Sequence, residues 1–144
     1  MTVNHLKGKP RGKIKHYFEA EAELNKIVDD INYRVALVLV EGIRDEEALR
    51  KVGLKRPVIR FCDSKLPVFA FVEEVANNYS DQTVLVLFDF DEEGKKMATR
   101  IGRELEERGV KIDHFVRNEL AKLLVKEGIW RIEDVYMIKT KATY

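Results

Sequence analysis

Two short acidic stretches hold the residues best suited to chemistry. The apolar run Val35-Ala36-Leu37-Val38-Leu39-Val40 stops at Glu41-Gly42, and Thr83-Val84-Leu85-Val86-Leu87-Phe88 stops at Asp89-Phe90-Asp91-Glu92-Glu93-Gly94. Each run is too short for a helix and apolar on both faces, which is the pattern of a central strand in a parallel sheet. Parallel strands share one carboxyl edge, where ligands of open α/β sheets sit, so Glu41, Asp89 and Asp91 are expected to converge. Asp89 and Asp91 then face one cavity while Phe90 points away. Carboxylates gathered in this way repel one another and resist desolvation, so they call for a bound cation or raised pKa values. Hard oxygen donors favour Mg2+ or Mn2+. Gly42 is expected to give a sharp turn and open the backbone to a ligand, and Gly94 to do the same before a helix starting at Lys95. The N-terminal amides of that helix offer a seat for phosphate, with Lys95 and Lys96 beside it.

The remaining patterns supply elements to hold these acids. Tyr17, Leu24, Ile27, Val28 and Ile31 recur at helical spacing and predict an amphipathic helix over 17–31. Asp45, Glu46 and Glu47 open a second helix that runs through Ala48, Leu49 and Val52 to Gly53. Pro57 to Phe61 reads as a strand, followed by a helix over 66–78 with Pro67 in its first turn. Lys95 to Arg108 reads as a helix stopped by Gly109, and the alternating Val110 to Val116, including His114, reads as a strand nearer the edge. The tail holds a helix through Leu120, Leu123 and Leu124, a break at Gly128, and a weaker helical pattern through Ile132, Val135 and Tyr136. Strands alternating with helices imply βαβ units, a parallel sheet and an α/β class.

Composition bounds the reading. The 144 residues carry 26 Lys and Arg against 25 Asp and Glu, one Cys and three Pro, as expected of a single domain with no strong excess of either charge. That balance excludes a strongly basic polyanion binder on average, but the charge is uneven. Lys7, Lys9, Arg11, Lys13 and Lys15 stand in the first 18 residues with no acid among them, followed by Glu19, Glu21, Glu23, Asp29 and Asp30 against Lys26. The basic arm is either a nucleic-acid tether or a solvated terminus. Cys62 cannot form an internal disulfide and is expected to be a small buried residue in a reducing compartment. No apolar run is long enough to cross a bilayer and no signal peptide is evident, so a cytoplasmic protein with no membrane role is expected. His5, His16 and His114 lack ligand spacing and read as surface or partly packed residues. Trp130 reads either as a hydrophobic anchor for the tail or as a base-stacking residue.

Glu41-Gly42-Ile43-Arg44-Asp45 after its strand, and Asp89-Phe90-Asp91-Glu92-Glu93-Gly94 after the later one, resemble the two Toprim motifs in their order and separation. The resemblance covers about 33–116. It implies a Toprim-like (Rossmann-like) parallel four-stranded sheet flanked by helices, with a basic arm and amphipathic helix over 1–32 and a C-terminal helical extension over 117–144. It implies that Glu41 is the general acid or base and a possible metal ligand, and that Asp89 and Asp91 hold Mg2+. Glu93 matches the third acid of the topoisomerase variant. Asp45 matches the spacing of the first motif in primases and equally suits a helix cap. Topoisomerases add a nucleophilic Tyr and primases a zinc-binding domain, whereas Tyr17, Tyr33, Tyr79, Tyr136 and Tyr144 have no motif context here. The chain resembles small stand-alone Toprim proteins most closely.

The function expected is Mg2+-dependent phosphodiester chemistry on nucleic acid, chiefly endonucleolytic cleavage of structured RNA or DNA. The alternative is a non-catalytic adaptor that binds nucleic acid within a processing or repair complex. Either reading leaves room for a protein partner that supplies substrate specificity.

Overall fold

Runs of Val and Leu without a charge make the sheet centre. The computed structural model describes residues 11–142, and β1 (Leu37–Val40) is buried along its whole length. β2 (Val58–Arg60), β3 (Thr83–Val86) and β4 (Lys111–Ile112) complete a four-stranded sheet in the order β2-β1-β3-β4. Every pairing is parallel, with Val38 opposite Val58 on one side and Leu85 on the other.

The pleat sends alternate side chains to opposite faces. Val38, Val40, Leu85 and Leu87 pack on one face with α1 (Arg11–Arg34), α2 (Ile43–Lys51), α6 (His114–Lys126) and the C-terminal segment. Leu37, Leu39, Val84, Val86 and Phe88 pack on the other, beneath α4 (Val68–Tyr79) and α5 (Glu92–Glu107). The fold is thus α/β and Toprim-like, with an N-terminal helix and a helical C-terminal segment flanking the sheet. Among the described residues, no helix is long and apolar enough to cross a membrane.

Four local expectations are corrected. The first helix runs from Arg11 to Arg34 rather than over 17–31, so Arg11, Lys13 and Lys15 belong to a helix and not to a flexible arm. Lys15 faces Glu19 one turn on at 3.8 Å, and His16 reaches the buried carboxylate of Glu127 at 3.0 Å, contacts that favour the added turns. Lys7, Lys9 and His5 lie outside the described residues. The strand expected over 110–116 is confined to Lys111–Ile112, because Asp113 accepts the Val116 N–H at 2.9 Å and caps α6. His114 therefore sits in a helix, 3.0 Å from Glu106. An unexpected short helix, α3 (Phe61–Ser64), follows β2 and turns Cys62 outward to an exposed position. Finally, α5 begins at Glu92, three positions ahead of the expected Lys95, because Asp91 caps it.

Asp113 also accepts a 2.8 Å hydrogen bond from Arg34 Nε while its own side chain is buried. Asp113→Ala removes a helix cap and leaves that guanidinium without its partner, so it should cost about 2 kcal/mol of stability. Urea denaturation checks this, with Asp113→Asn keeping part of the cap.

The C-terminal segment closes the structure. Gly128 ends α6 at φ +76°, a backbone that glycine adopts without strain. Ile129, Ile132, Val135 and Ile138 then enter the core through a 3-10 turn (Ile132–Asp134) and α7 (Met137–Ala142). Lys139 on α7 ties back to Asn25 on α1 at 2.8 Å.

Candidate functional site

β1 and β3 lie side by side, yet β1 leads into α2 on one face and β3 into α5 on the other. Such a reversal opens a crevice at the carboxyl ends of the two strands. Pairing persists to its lip, where Leu87 N–H donates to Leu39 O at 2.8 Å. Glu41 leaves β1 and Asp89 leaves β3 at this point, so the fold brings together acids that are distant in sequence. A cavity of about 560 Å3 there is lined by Glu41, Asp89, Asp91, Glu93 and Gly94, together with Phe61, Cys62, Phe88, Met97 and Arg131. Gly42, Asp45, Lys95 and Lys96 do not line it.

Each acid is held differently. Asp91 is the N-cap of α5, its Oδ1 accepting the Gly94 N–H at 2.7 Å. The helix N-terminus expected as a phosphate seat at Lys95 is thus three residues earlier and already engages a carboxylate. Lys95 and Lys96 follow as exposed residues on α5. Asp89 Oδ1 accepts the Ile132 N–H at 2.9 Å, and Phe90 N–H donates to Trp130 O at 2.7 Å, so the C-terminal segment grips the acidic loop by its backbone. Phe90 is buried, as expected, beneath the Arg117 guanidinium at 4.7 Å. Arg117 in turn donates to Val86 O at 2.9 Å and Phe88 O at 3.3 Å, and burial lowers its pKa to about 10. It stays charged at neutral pH and supports the end of β3. Asp45 accepts the Gly42 N–H at 3.2 Å, the bond of a helix cap.

The two glycines differ, contrary to the expectation that they act alike. Gly94 lies within the first turn of α5, where a Cβ would stand 2.1 Å from the carbonyl oxygen of Asp89. Gly42 has extended backbone, and a Cβ there would meet nothing within 4 Å. No sharp turn requires it.

Crowding shows in the acid–base behaviour. The Glu41 pKa is raised, first by burial and then by Asp89 and Asp45, with a smaller push from Asp91. Asp89 is raised by burial and by Asp91, while the Ile132 amide and Arg131 pull it down. Asp45 is raised chiefly by burial. The native chain therefore holds these protons more tightly than the unfolded one. Their contribution to stability is fully present below the ordinary carboxylate range and is lost as pH rises through the raised native values. At neutral pH the residual repulsion should be relieved by Glu41→Gln, which is expected to raise Tm by about 2 °C, a small gain because the group is partly solvated. A thermal melt at neutral pH and at pH 4 checks this, since the gain should shrink at the lower pH.

Three residues at or near this site were not assigned to it from the sequence. Cys62, expected to be buried, is exposed on the cavity wall, its N–H donating to Glu41 O at 2.9 Å and its thiol pKa raised by partial desolvation against the wall and by Glu41. Arg131 is paired with Glu133 and lines the cavity from the C-terminal segment. Arg117 does not line it but braces the strand behind. The one sequence signal for Arg131 is its place beside Trp130 just after the Gly128 break. Trp130 itself is 50% exposed, and Ile129 and Ile132 anchor the tail in its stead.

Among the described residues, no three His, Cys, Asp or Glu side chains are grouped to hold a metal ion by themselves. The donor set is nevertheless one that suits a hard cation: several carboxylates on one cavity, two with raised pKa values, and Asp89 and Asp91 each with only one oxygen committed to a backbone amide.

Comparison with known proteins places these features in context. A family model described as the Toprim domain matches residues 36–116. UPF0292 protein PH1700 of Pyrococcus horikoshii is 34% identical over 122 residues, covering 85% of this chain and 88% of its own. A UPF0292 protein of Thermococcus sibiricus is 35% identical over 120 residues, covering 83% and 90% respectively. UPF0292 protein MJ1624 of Methanocaldococcus jannaschii is 28% identical over 130 residues, covering 89% and 96%. A solved structure of a protein from Aquifex aeolicus superposes with a TM-score of 0.59 at 27% identity, over 78% of this chain and 95% of that one.

Proposed function

This chain belongs to the Toprim domain family, and from that premise we propose that it is a Mg2+- or Mn2+-dependent endonuclease acting on structured RNA or DNA in the cytoplasm. The observation that carries the reading is the meeting of Glu41 with Asp89, Asp91 and Glu93 in one cavity at the β1/β3 switch point. Glu41 is the acid–base residue, since burial and its acidic neighbours raise its pKa toward the working range of a proton shuttle. Asp89 and Asp91 would hold the ion through their uncommitted oxygens, with Glu93 as a further ligand. Mg2+ keeps several waters and takes only one or two carboxylates, so an open donor set accords with it. Bound there, it would neutralise charge on the phosphate oxygens and orient the attacking or leaving oxygen. Gly94 lets the first turn of α5 press against the Asp89 carbonyl, which sets the spacing of the two aspartates.

The test is cleavage of a panel of structured RNA and DNA with and without Mg2+ or Mn2+. Cleavage should require the ion and fall by roughly 100-fold or more in Asp89→Asn, since a polarising ion is worth several kcal/mol.

A second reading, a non-catalytic adaptor that binds nucleic acid beside a partner supplying specificity, is favoured by the oxygens already spent on the Ile132 and Gly94 amides. Ion-independent binding without cleavage, unchanged in Asp89→Asn, would establish it instead.

A further inference from the structure

The C-terminal segment does more than cover the core. Trp130 O accepts from Phe90 N–H at 2.7 Å and Ile132 N–H donates to Asp89 Oδ1 at 2.9 Å, so the backbone on both sides of Arg131 is fastened to the acidic loop. Ile129 and Ile132 are buried, yet the indole between them is 50% exposed. These clamps fix the backbone on which Trp130 stands. Arg131 is the one Lys or Arg among the described residues that line the acidic cavity, and its side chain is 59% exposed although it pairs with Glu133.

A phosphodiester approaching four carboxylates is repelled, and a protein cation at the rim offsets that repulsion. A guanidinium suits the task because its fork offers donors to phosphate beyond those used on one carboxylate. Trp130 does not itself line the cavity, but it adjoins Arg131 and is half exposed, so its indole is accessible to an unpaired base beside the site. We infer that Trp130 and Arg131 are the substrate-reading element of this site: Trp130 stacks on an unpaired base, and Arg131 binds the phosphate adjoining the one to be cleaved. This rests on the nucleic-acid reading above and specifies its substrate as one with single-stranded nucleotides at the cleavage point. Both residues lie outside the segment 36–116 matched by the Toprim model. Glu133 competes with phosphate for Arg131 and tunes the affinity.

The chain has one Trp, so its fluorescence reports on this position alone. Short single-stranded oligo-A and oligo-dA are titrated into the Glu41→Gln protein, with binding followed independently by anisotropy of labelled oligonucleotide. Indole emission should be quenched in step with binding, and Trp130→Leu should weaken single-strand binding by about 10-fold while leaving blunt duplex binding unchanged. Arg131→Met, in the otherwise wild-type enzyme, should raise KM more than it lowers kcat. It should also flatten the dependence of log affinity on log salt by about 0.7, the share of one phosphate contact on a single strand. Glu133→Gln should shift affinity the opposite way, by freeing the guanidinium. If oligonucleotide binds with emission unchanged and the Trp130 and Arg131 variants bind as wild type does, the inference falls and the parent reading stands. It falls equally if Glu133→Gln weakens binding as Arg131→Met does, because the pair is then structural. If no oligonucleotide binds and no substrate is cut, both fall together.

Discussion

Glu41→Gln is expected to cut metal-dependent cleavage by about 10²–10⁴-fold, the contribution of a positioned acid or base, while the protein melts no lower than wild type. Most inactivating substitutions in a buried site also destabilise, so this opposite movement of activity and Tm is diagnostic. It arises because Glu41 is crowded by Asp89 and Asp45 and pushed toward its neutral form by burial. Gln keeps the size of the side chain and removes the charge that repels its neighbours, but it cannot exchange a proton at neutral pH. Single-turnover cleavage beside thermal melts measures both quantities. A variant that cleaves at the wild-type rate would remove Glu41 from the chemistry.

Gly94→Ala is expected to cost about 3 kcal/mol or more, near the upper end for overpacking, and to lower Tm by about 10 °C in a chain of this length. The added carbon would lie 2.1 Å from the Asp89 carbonyl oxygen. That neighbour is backbone and cannot swing aside, so either α5 or the acidic loop must shift. Either movement strains the Asp91–Gly94 cap and changes the spacing of Asp89 and Asp91, so divalent-ion affinity should fall with stability. Gly42→Ala is the control. Its backbone is extended and the space around it open, so it should stay within about 0.5 kcal/mol of wild type. Denaturant titration and Mn2+ binding by the two variants would separate the roles of the two glycines.

How much of this was legible in advance depended on the kind of signal each feature leaves. Val35 to Val40 and, after the half-buried Thr83, Val84 to Phe88 announce central strands, because positions covered on both faces of the sheet must be apolar. The alternation of Val110 to Val116 misled, since Lys111 and Ile112 continue as strand only until the Asp113 carboxylate finds the Val116 amide. The competing cap is a local hydrogen bond that periodicity does not record. The start of α5 was displaced for the same reason, with the Asp91 carboxylate capping the helix so that it begins at Glu92 rather than Lys95. Cys62 was misplaced because its exposure is set by a single turn of helix after β2.

Sequence alone therefore determined the α/β class, the central strands and the acids at their carboxyl ends, because side-chain burial imposes a pattern that residue types display directly. Tertiary structure alone decided that β1 lies between β2 and β3, which puts the expected meeting of Glu41 and Asp89 in the crevice between adjacent strands. It also decided that Gly94 is required where Gly42 is not, and that residues 130–132 fasten Arg131 over the acids. Those features rest largely on backbone amides, carbonyls and close approaches between distant segments, which the pattern of residue types along one segment does not reveal.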